Sequence, residues 1–191
     1  MKNVVFFYPS FENGGASVVL INLIKYFSKK NIVYLITNKK PNDLKNIKNL
    51  RFIINQQRKF LFINDRILSS FFASKELIKL FFKLNKNSTK YFSMQSHFFP
   101  VLLSIFINLK ITIRVSEDPC GALLNADNRF FAILVTITKI ITYNFANKII
   151  TNAIKSQNCV RRFLINKDKV ILLYNPTLNK LLRKSKNIRK N

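Results

Sequence analysis

Carboxylates are scarce in this chain of 191 residues, which has 8 Asp and Glu against 33 Lys and Arg and a formal net charge of +25. Such a surface attracts anionic partners, for example phospholipid headgroups, nucleotides or nucleic acid. The chain is not disordered in composition, because 48% of its residues are apolar and only 21% are charged. One interpretation is therefore a basic nucleic-acid-binding protein, although no RRM, KH, zinc-finger or helix-turn-helix pattern supports it.

The sequence is also poor in metal ligands, with two cysteines and a single histidine. Cys120 and Cys159 do not form a CxxC pair, so we expect no zinc site and no other bound metal. Because the N-terminus shows no signal-peptide pattern, we expect both cysteines to be reduced and the protein to be cytoplasmic. No apolar run reaches the roughly 18 residues that a spanning helix needs. The expected protein is soluble or lies peripherally on the cytoplasmic face of the membrane.

Short apolar runs alternate with helical patterns along the chain. Strands are predicted at residues 3–8, 32–37, 51–55, 90–95, 110–115, 148–152 and 169–174, and helices at 16–30, 64–86, 101–108, 129–147 and 154–164. This alternation predicts an α/β fold with a Rossmann-like, doubly wound parallel sheet and helices on both faces. In such sheets, ligands bind beyond the carboxyl ends of the strands.

Glycine occurs only three times, and two of the three, Gly14 and Gly15, stand together after the first predicted strand. A strand, a glycine turn and a helix let backbone N–H groups and the positive end of a helix dipole approach an anion. The sequence has neither the dinucleotide-binding fingerprint nor a P-loop. Two interpretations stay open: a phosphate-binding turn, or a tight turn that needs positive φ.

Polar side chains follow the fourth and fifth predicted strands. Arg114, Ser116, Glu117 and Asp118 stand at the end of the fifth strand. They could form an Arg–Glu ion pair with helix capping, or a cluster facing a substrate crevice with the carboxylates directed towards sugar hydroxyls. His97 follows the fourth strand, and we interpret it first as a crevice-edge or core residue and second as a proton-transfer group.

The predicted helix at 64–86 interleaves aromatic residues with Lys75, Lys79, Lys83 and Lys86. Its apolar positions could simply belong to the core. The same pattern is typical of a basic amphipathic helix that lies on an anionic membrane.

Four segments, in order along the chain, carry a resemblance to a known family. Residues 7–16 read FYPSFENGGA and are followed by VVLINL at 18–23; residues 114–119 read RVSEDP, 145–152 read FANKIITN, and 174–176 read YNP. Over residues 3 to about 179, this ordered set resembles the N-terminal half of the family 4 glycosyltransferases. The enzymes of that family have the GT-B architecture, in which two Rossmann-like halves face each other across a cleft.

The resemblance implies an activity and a set of site residues. It implies retaining transfer of a hexose from a nucleotide-sugar to a hydroxyl of a lipid-linked or surface-glycan acceptor, with no cofactor and no metal. The first half would mainly hold the acceptor. Gly14 and Gly15 would line the donor phosphates, and Arg114, Ser116 and Glu117 would face the cleft as tentative catalytic residues. Many relatives place a histidine after the fifth strand, where Ser116 and Glu117 stand here.

The predicted organisation is a glycosyltransferase-like N-terminal domain at 1–179 and a basic C-terminal tail at 180–191. A donor-binding second half of a GT-B enzyme has no counterpart in this sequence. We therefore expect the isolated chain to be inactive or weakly active and to need a separate donor-binding domain. Two alternatives remain: a nucleic-acid-binding protein, which is the less favoured interpretation, and a non-catalytic remnant.

Overall fold

The computed structural model describes residues 1–55, 65–124 and 129–175. The strands are β1 Lys2–Phe7, β2 Asn31–Thr37, β3 Leu50–Ile54, β4 Thr89–Ser93, β5 Ile111–Val115, β6 Lys148–Thr151 and β7 Val170–Leu172. The helices are α1 Gly15–Phe27, α2 Asp65–Lys83, α3 Phe98–Ile107, α4 Pro119–Leu124, α5 Arg129–Phe145 and α6 Ile154–Arg162, with short 3-10 turns at Asn42–Leu44, Lys86–Ser88 and Lys167–Lys169. The predicted domain boundary at 179 and the tail at 180–191 lie outside the described residues.

The seven strands form one parallel sheet in the order β3-β2-β1-β4-β5-β6-β7. β1 pairs with β2 on one side and with β4 on the other, so the direction of winding reverses between β1 and β4. The predicted α/β, doubly wound architecture is confirmed. Because ligands bind where the strand order reverses, the carboxyl ends of β1 and β4 are where a site is expected.

Alternate side chains of each central strand enter two separate cores. Val4 and Phe6 of β1 pack in a cluster with Leu20 and Ile24 of α1. Val5 and Phe7 pack in the cluster on the other face, which the helices α2, α3, α5 and α6 cover. Strands buried on both faces read as continuous apolar runs, which is why the sequence located them within one or two residues.

The helix boundaries differ from the prediction where capping decides them. α3 begins at Phe98 instead of 101 because Pro100 is tolerated in a first turn, and it ends at Ile107, before the cap residue Asn108, which has a left-handed φ of 52°. The six-residue helix α4 was not predicted at all. Asn64, where the second helix was expected to start, lies outside the described residues.

Helix α2 exposes a second apolar stripe besides the one that it buries. Leu68, Leu77 and Phe81 are buried, while Ile67, Phe71 and Phe82 are 54%, 46% and 70% exposed. The core interpretation therefore holds for the buried positions of this helix, and membrane contact of the exposed positions stays a prediction. In the described part of the chain, no helix is long and apolar enough to cross a bilayer.

Candidate functional site

A crevice of about 310 Å³ opens where the strand order reverses. Its walls come from the residues that directly follow three strands: Tyr8 after β1, Met94 to His97 after β4, and Ser116 and Glu117 after β5. Helix α5 closes one side with Val135, Thr138, Lys139, Thr142 and Tyr143. This combination of a mostly apolar lining and a few converging polar groups is typical of a ligand site.

Arg114 lies at the base of the crevice and is 8% exposed. Its Nη1 donates a hydrogen bond to the Ser116 hydroxyl over 2.6 Å. No carboxylate of the described residues lies within 4.0 Å of its guanidinium, so the Arg–Glu pair considered from the sequence does not form. Burial lowers the pKa of Arg114, and the neighbouring Tyr8 phenol opposes that shift.

Glu117 lies on the α5 side of the crevice. Burial lowers the pKa of the Lys139 ammonium, and the charges of Glu117 and Asp118 partly restore it. Burial also raises the pKa of Tyr143, and the Glu117 charge adds to that effect. The Glu117 charge therefore acts on Lys139 and Tyr143, two α5 residues that line the same crevice.

His97 also lines the crevice and is held from two sides. Its Nδ1 lies 2.8 Å from the Ser93 hydroxyl, four residues earlier in the chain. Burial lowers the pKa of His97 to about 4, a hydrogen bond with the Arg114 backbone opposes the shift, and the Arg114 charge adds to it. The imidazole is thus neutral near pH 7, which fits the first interpretation of His97 as a crevice-edge or core residue.

Gly14 and Gly15 form the N-terminal turn of α1 and face open space. A Cβ added at either position would have no protein atom within 4 Å. Gly14 has a φ of 168°, which is extended backbone, and none of the glycines in the described residues lies in the left-handed region of φ that favours glycine. The tight-turn interpretation is therefore wrong, since the chain's own packing and backbone require glycine at neither position.

The Ser17 hydroxyl closes this turn by accepting from the Gly14 N–H over 3.0 Å and donating to the Gly14 carbonyl over 2.7 Å. The first N–H groups of α1, those of Gly15, Ala16 and Ser17, have no partner within the helix because of helix geometry. Ala16 lines the crevice, whereas Gly14 and Ser17 line a second, open hollow of about 630 Å³. Along the chain, the start of α1 therefore leads from the second hollow, at Gly14, to the crevice, at Ala16.

Asp118 does not face the crevice, contrary to the sequence interpretation that placed both carboxylates there. Its Oδ2 lies 3.1 Å from Lys155 Nζ, and its Oδ1 accepts a hydrogen bond from the Cys120 N–H over 3.2 Å. The Lys155 hydrogen bond is the main cause of the lowered pKa of Asp118. Asp118 therefore caps α4 and pairs with α6.

Cys120 and Cys159 are joined in a disulfide, which corrects the expectation that both are reduced. They are 39 residues apart in sequence, but α4 follows β5 and α6 follows the neighbouring strand β6, so their Cα atoms lie 5.9 Å apart. Among the described residues, only Asp118 and these two cysteines gather three potential metal ligands. With both sulfurs in a disulfide, this group offers no thiolate to a metal ion.

Sequence reasoning missed Tyr8, Lys139 and Tyr143 as crevice residues. Lys139 had a usable signal, because it is the only charged residue between positions 130 and 147 of a strongly apolar stretch. The contact between the Ser93 hydroxyl and His97 was not predicted either. Between these two residues, Ser96 has a φ of 53°, a left-handed conformation.

Solved structures similar to this fold contain nucleotide-sugars. The chain aligns over its whole length with 51% of Alr3699/HepE of Anabaena in complex with UDP-glucose, at a TM-score of 0.62 and 13% identity. It aligns over 95% of its length with 55% of UGT89C1 of Arabidopsis thaliana in complex with UDP-L-rhamnose, at a TM-score of 0.57 and 12% identity. It aligns over 91% with 52% of UGT2 of Phytolacca americana in complex with UDP-2fluoro-glucose and pterostilbene, at a TM-score of 0.55 and 8% identity.

The chain has the fold of one half of a GT-B glycosyltransferase. It spans about half the length of the solved structures that it matches. No protein-family model and no curated protein matches the sequence. At these identities the likeness shows the shared fold, while membership of family 4 rests on the sequence resemblance alone.

Proposed function

We propose that this chain is the acceptor-side half of a family 4 glycosyltransferase, which transfers a sugar from a nucleotide-sugar to a hydroxyl of a lipid-linked or surface-glycan acceptor. The observation that carries the proposal is the crevice at the strand-order reversal, lined by Arg114, Ser116 and Glu117. These are three of the residues that the family resemblance assigns to the cleft. The similar solved structures bind UDP-sugars, which supports a nucleotide-sugar as the donor.

The open glycine turn supports a role in donor binding. Among the described residues, no atom would clash with a side chain at Gly14 or Gly15, so the two glycines leave the space beside the start of α1 open to a ligand. A diphosphate lying against the free N–H groups at the start of α1 would come too close to tolerate side chains there. We assign Gly14 and Gly15 to the donor phosphates on this basis.

Glu117 is the residue that we assign to the acceptor hydroxyl. Its carboxylate acts on Lys139 and Tyr143 and lines the crevice, where it could accept a hydrogen bond from a sugar hydroxyl. Retaining transfer further needs the donor to be positioned against that hydroxyl. The matched structures contain a second half that this chain does not align with, and we assign the positioning of the donor to such a half. We therefore expect the isolated chain to transfer sugar slowly if at all.

A membrane-bound acceptor is supported by the apolar surface beside the crevice. Helix α5 lines the crevice with Lys139 and Thr142, and it exposes Ile133, Leu134 and Ile137 by 60%, 50% and 48%. An acyl or polyprenyl chain attached to the acceptor could lie along this stripe. We therefore place the protein on the cytoplasmic face of a membrane as a peripheral protein, where reducing conditions would open the Cys120–Cys159 disulfide.

The three glycines provide a direct test of donor binding, because their backbone amides resonate in a sparsely populated region of an NMR spectrum. On titrating the chain with UDP-glucose, we expect the Gly14 and Gly15 amide signals to shift and the Gly121 signal to stay. The Gly15→Ala variant should fold as well as the wild type, since its Cβ meets open space, and should bind UDP-glucose about tenfold more weakly.

The control for this titration is Gly121→Ala, which alters the one glycine outside the turn; its Cβ would lie 3.2 Å from Asp118 Oδ2, so its melting temperature must first match that of the wild type. Equal shifts of all three glycine signals would indicate non-specific attraction of UDP-glucose to a basic protein. Shifts at none of them, at concentrations where a weak site would fill, would contradict the assignment of the glycine turn to the donor.

A further inference from the structure

Arg114 is a buried cation without a counter-ion. It is 8% exposed, and among the described residues its guanidinium has one side-chain partner, the neutral hydroxyl of Ser116. A buried charge is costly unless it is paired and hydrogen-bonded, and a guanidinium carries five N–H donors, of which Ser116 uses one. The free protein thus holds an arginine whose donor capacity is largely unused.

The unused donors face a cavity, and no carboxylate competes for them. Arg114 lines the crevice together with Tyr8, Ser116 and His97, all of which are neutral. Glu117 lines the same crevice, and its charge shifts the pKa of Lys139 and Tyr143 but is not among the causes of the shift at Arg114. Glu117 is the only carboxylate among the described residues that line the crevice, and it forms no ion pair with the guanidinium within 4.0 Å.

We propose that Arg114 binds an anionic oxygen group, a phosphate or a carboxylate, carried by the acceptor of the transfer reaction. The guanidinium fork matches the oxygens of such a group in pairs, and a low-polarity wall strengthens those hydrogen bonds. The inference rests on the proposed function and narrows it: the acceptor is a charged sugar or a sugar phosphate, held by Arg114 while its hydroxyl faces Glu117.

The test measures thermal unfolding and calorimetric binding of the full chain with four probes at matched ionic strength. The probes are glucose 6-phosphate, glucuronate, short-chain phosphatidate and neutral glucose, which separate a sugar phosphate, a sugar carboxylate and a lipid phosphate from the sugar alone. We expect at least one anionic probe to bind and glucose not to. The one that binds most tightly identifies the source of the anionic group.

The Arg114→Met variant removes the charge and keeps much of the side-chain volume. It should lose about tenfold or more in affinity for the anionic probe, because charge-assisted hydrogen bonds are lost. In the absence of ligand it should melt at a temperature equal to or higher than that of the wild type, since an unpaired buried charge is removed. A merely structural arginine would instead give a lower melting temperature.

The control is Arg162→Met, which makes the same change at an exposed position of α6 and leaves the crevice untouched. It should bind the anionic probe as the wild type does. If Arg114→Met fails to fold, Arg114→Lys keeps the charge without the fork and should bind more weakly than the wild type. Unchanged binding by both Arg114 variants, or equal losses in Arg162→Met, would overturn the proposal.

Competition with UDP, together with the UDP-glucose titration, tests this inference separately from the proposed function. If UDP displaces the anionic probe, Arg114 serves the donor diphosphate and the assignment to the acceptor is overturned. If no anionic probe binds while UDP-glucose still shifts the Gly14 and Gly15 signals, the inference fails and the proposed function stands. If the anionic probe binds at Arg114 and UDP-glucose has no effect on the glycines, the donor assignment fails instead.

Discussion

His97 illustrates how a single titratable side chain is fixed by its surroundings. Burial lowers its pKa from 6.5 to about 4. The Ser93 hydroxyl lies 2.8 Å from Nδ1, and the Arg114 backbone is a further hydrogen-bond partner of the side chain. The side chain therefore supports the loops after β4 and β5 as a neutral hydrogen-bonding group. The Arg114 guanidinium nearby would repel a proton that arrived there.

The lowered pKa of His97 predicts a pH-dependent stability. Between pH 6.5 and about 4 the unfolded chain binds a proton at this position and the folded chain does not, so the free energy of unfolding falls as the pH drops through that window. We expect His97 to account for roughly 1–3 kcal/mol of the fall. Chemical denaturation at several pH values should show a shallower decline for His97→Gln than for the wild type.

The comparison uses the slope of the free energy of unfolding against pH and not its absolute value, because His97→Gln also changes the hydrogen bonds to Ser93 and Arg114. Carboxylates titrate in the same range in both proteins, so their contribution cancels in the difference. Parallel slopes for the two proteins would show that His97 is protonated equally in the folded and unfolded states.

At the residue scale, the sequence predicted part of the crevice and missed part of it. Arg114, Ser116 and Glu117 were predictable because they follow a buried strand, and the carboxyl ends of parallel strands meet at one edge. Tyr143 was not predictable, because its position depends on how α5 packs against the rest of the fold, and Lys139 was marked only by being the one charge in an apolar stretch. Asp118 was assigned to the wrong side, since one step along the chain after a strand turns a side chain to the other face.

At the scale of elements, helix α4 depends on a neighbour for its position. It has six residues, too few to be stable alone, and it is tied to α6 by the Cys120–Cys159 disulfide and by the ion pair between Asp118 and Lys155. Its first residue, Pro119, also lines the crevice. The pair of helices therefore holds the end of the loop that carries Glu117.

Reduction of this disulfide should destabilise the protein. Closing a loop of 39 residues is worth about 4 kcal/mol in the chain-entropy description, and measured effects are commonly smaller. We expect a reductant to lower the free energy of unfolding of the wild type by roughly 2–4 kcal/mol. The Cys159→Ser variant should be less stable than the oxidised wild type, and adding reductant should not change its stability.

Cys159→Ser also serves as the control, because a response of this variant to reductant would have to come from something other than the disulfide. If the wild type is equally stable with and without reductant, and both native thiols react with a maleimide before any reduction, the two cysteines are not bonded in solution.

The elements themselves were largely predictable, and the reasons differ between them. The strands read as apolar runs because both faces of the sheet are covered, and the longer helices show a period of 3.6. Helix α4 was not predictable, because its short stretch PCGALL begins with proline and shows no period. The open conformation of Gly14 and Gly15 was equally hidden, since sequence cannot separate a glycine needed for its backbone from one needed for space.

At the scale of the whole molecule, positive charge and exposed apolar groups occur together. The chain carries 33 basic and 8 acidic residues, and α2 presents Lys75 and Lys79 beside the exposed Phe71 and Phe82. Glu76 pairs with Lys79 over 2.7 Å and neutralises only part of that surface. An anionic bilayer could satisfy both features at once, with lysines at the headgroups and aromatic rings at the acyl boundary.

Vesicle flotation tests this proposed membrane contact. We expect the chain to float with vesicles that contain phosphatidylglycerol and not with pure phosphatidylcholine, and added salt should weaken the binding because exposed charges are screened. Phe82→Ser should lower the partition coefficient about fivefold, because serine transfers less apolar surface from water into the bilayer than phenylalanine does. Tyr26→Ser changes a ring that is also 70% exposed, on α1 at the opposite face of the sheet, and should leave binding unchanged. Equal losses in the two variants would mean that the charge of the whole molecule, and not the outer surface of α2, brings it to the membrane.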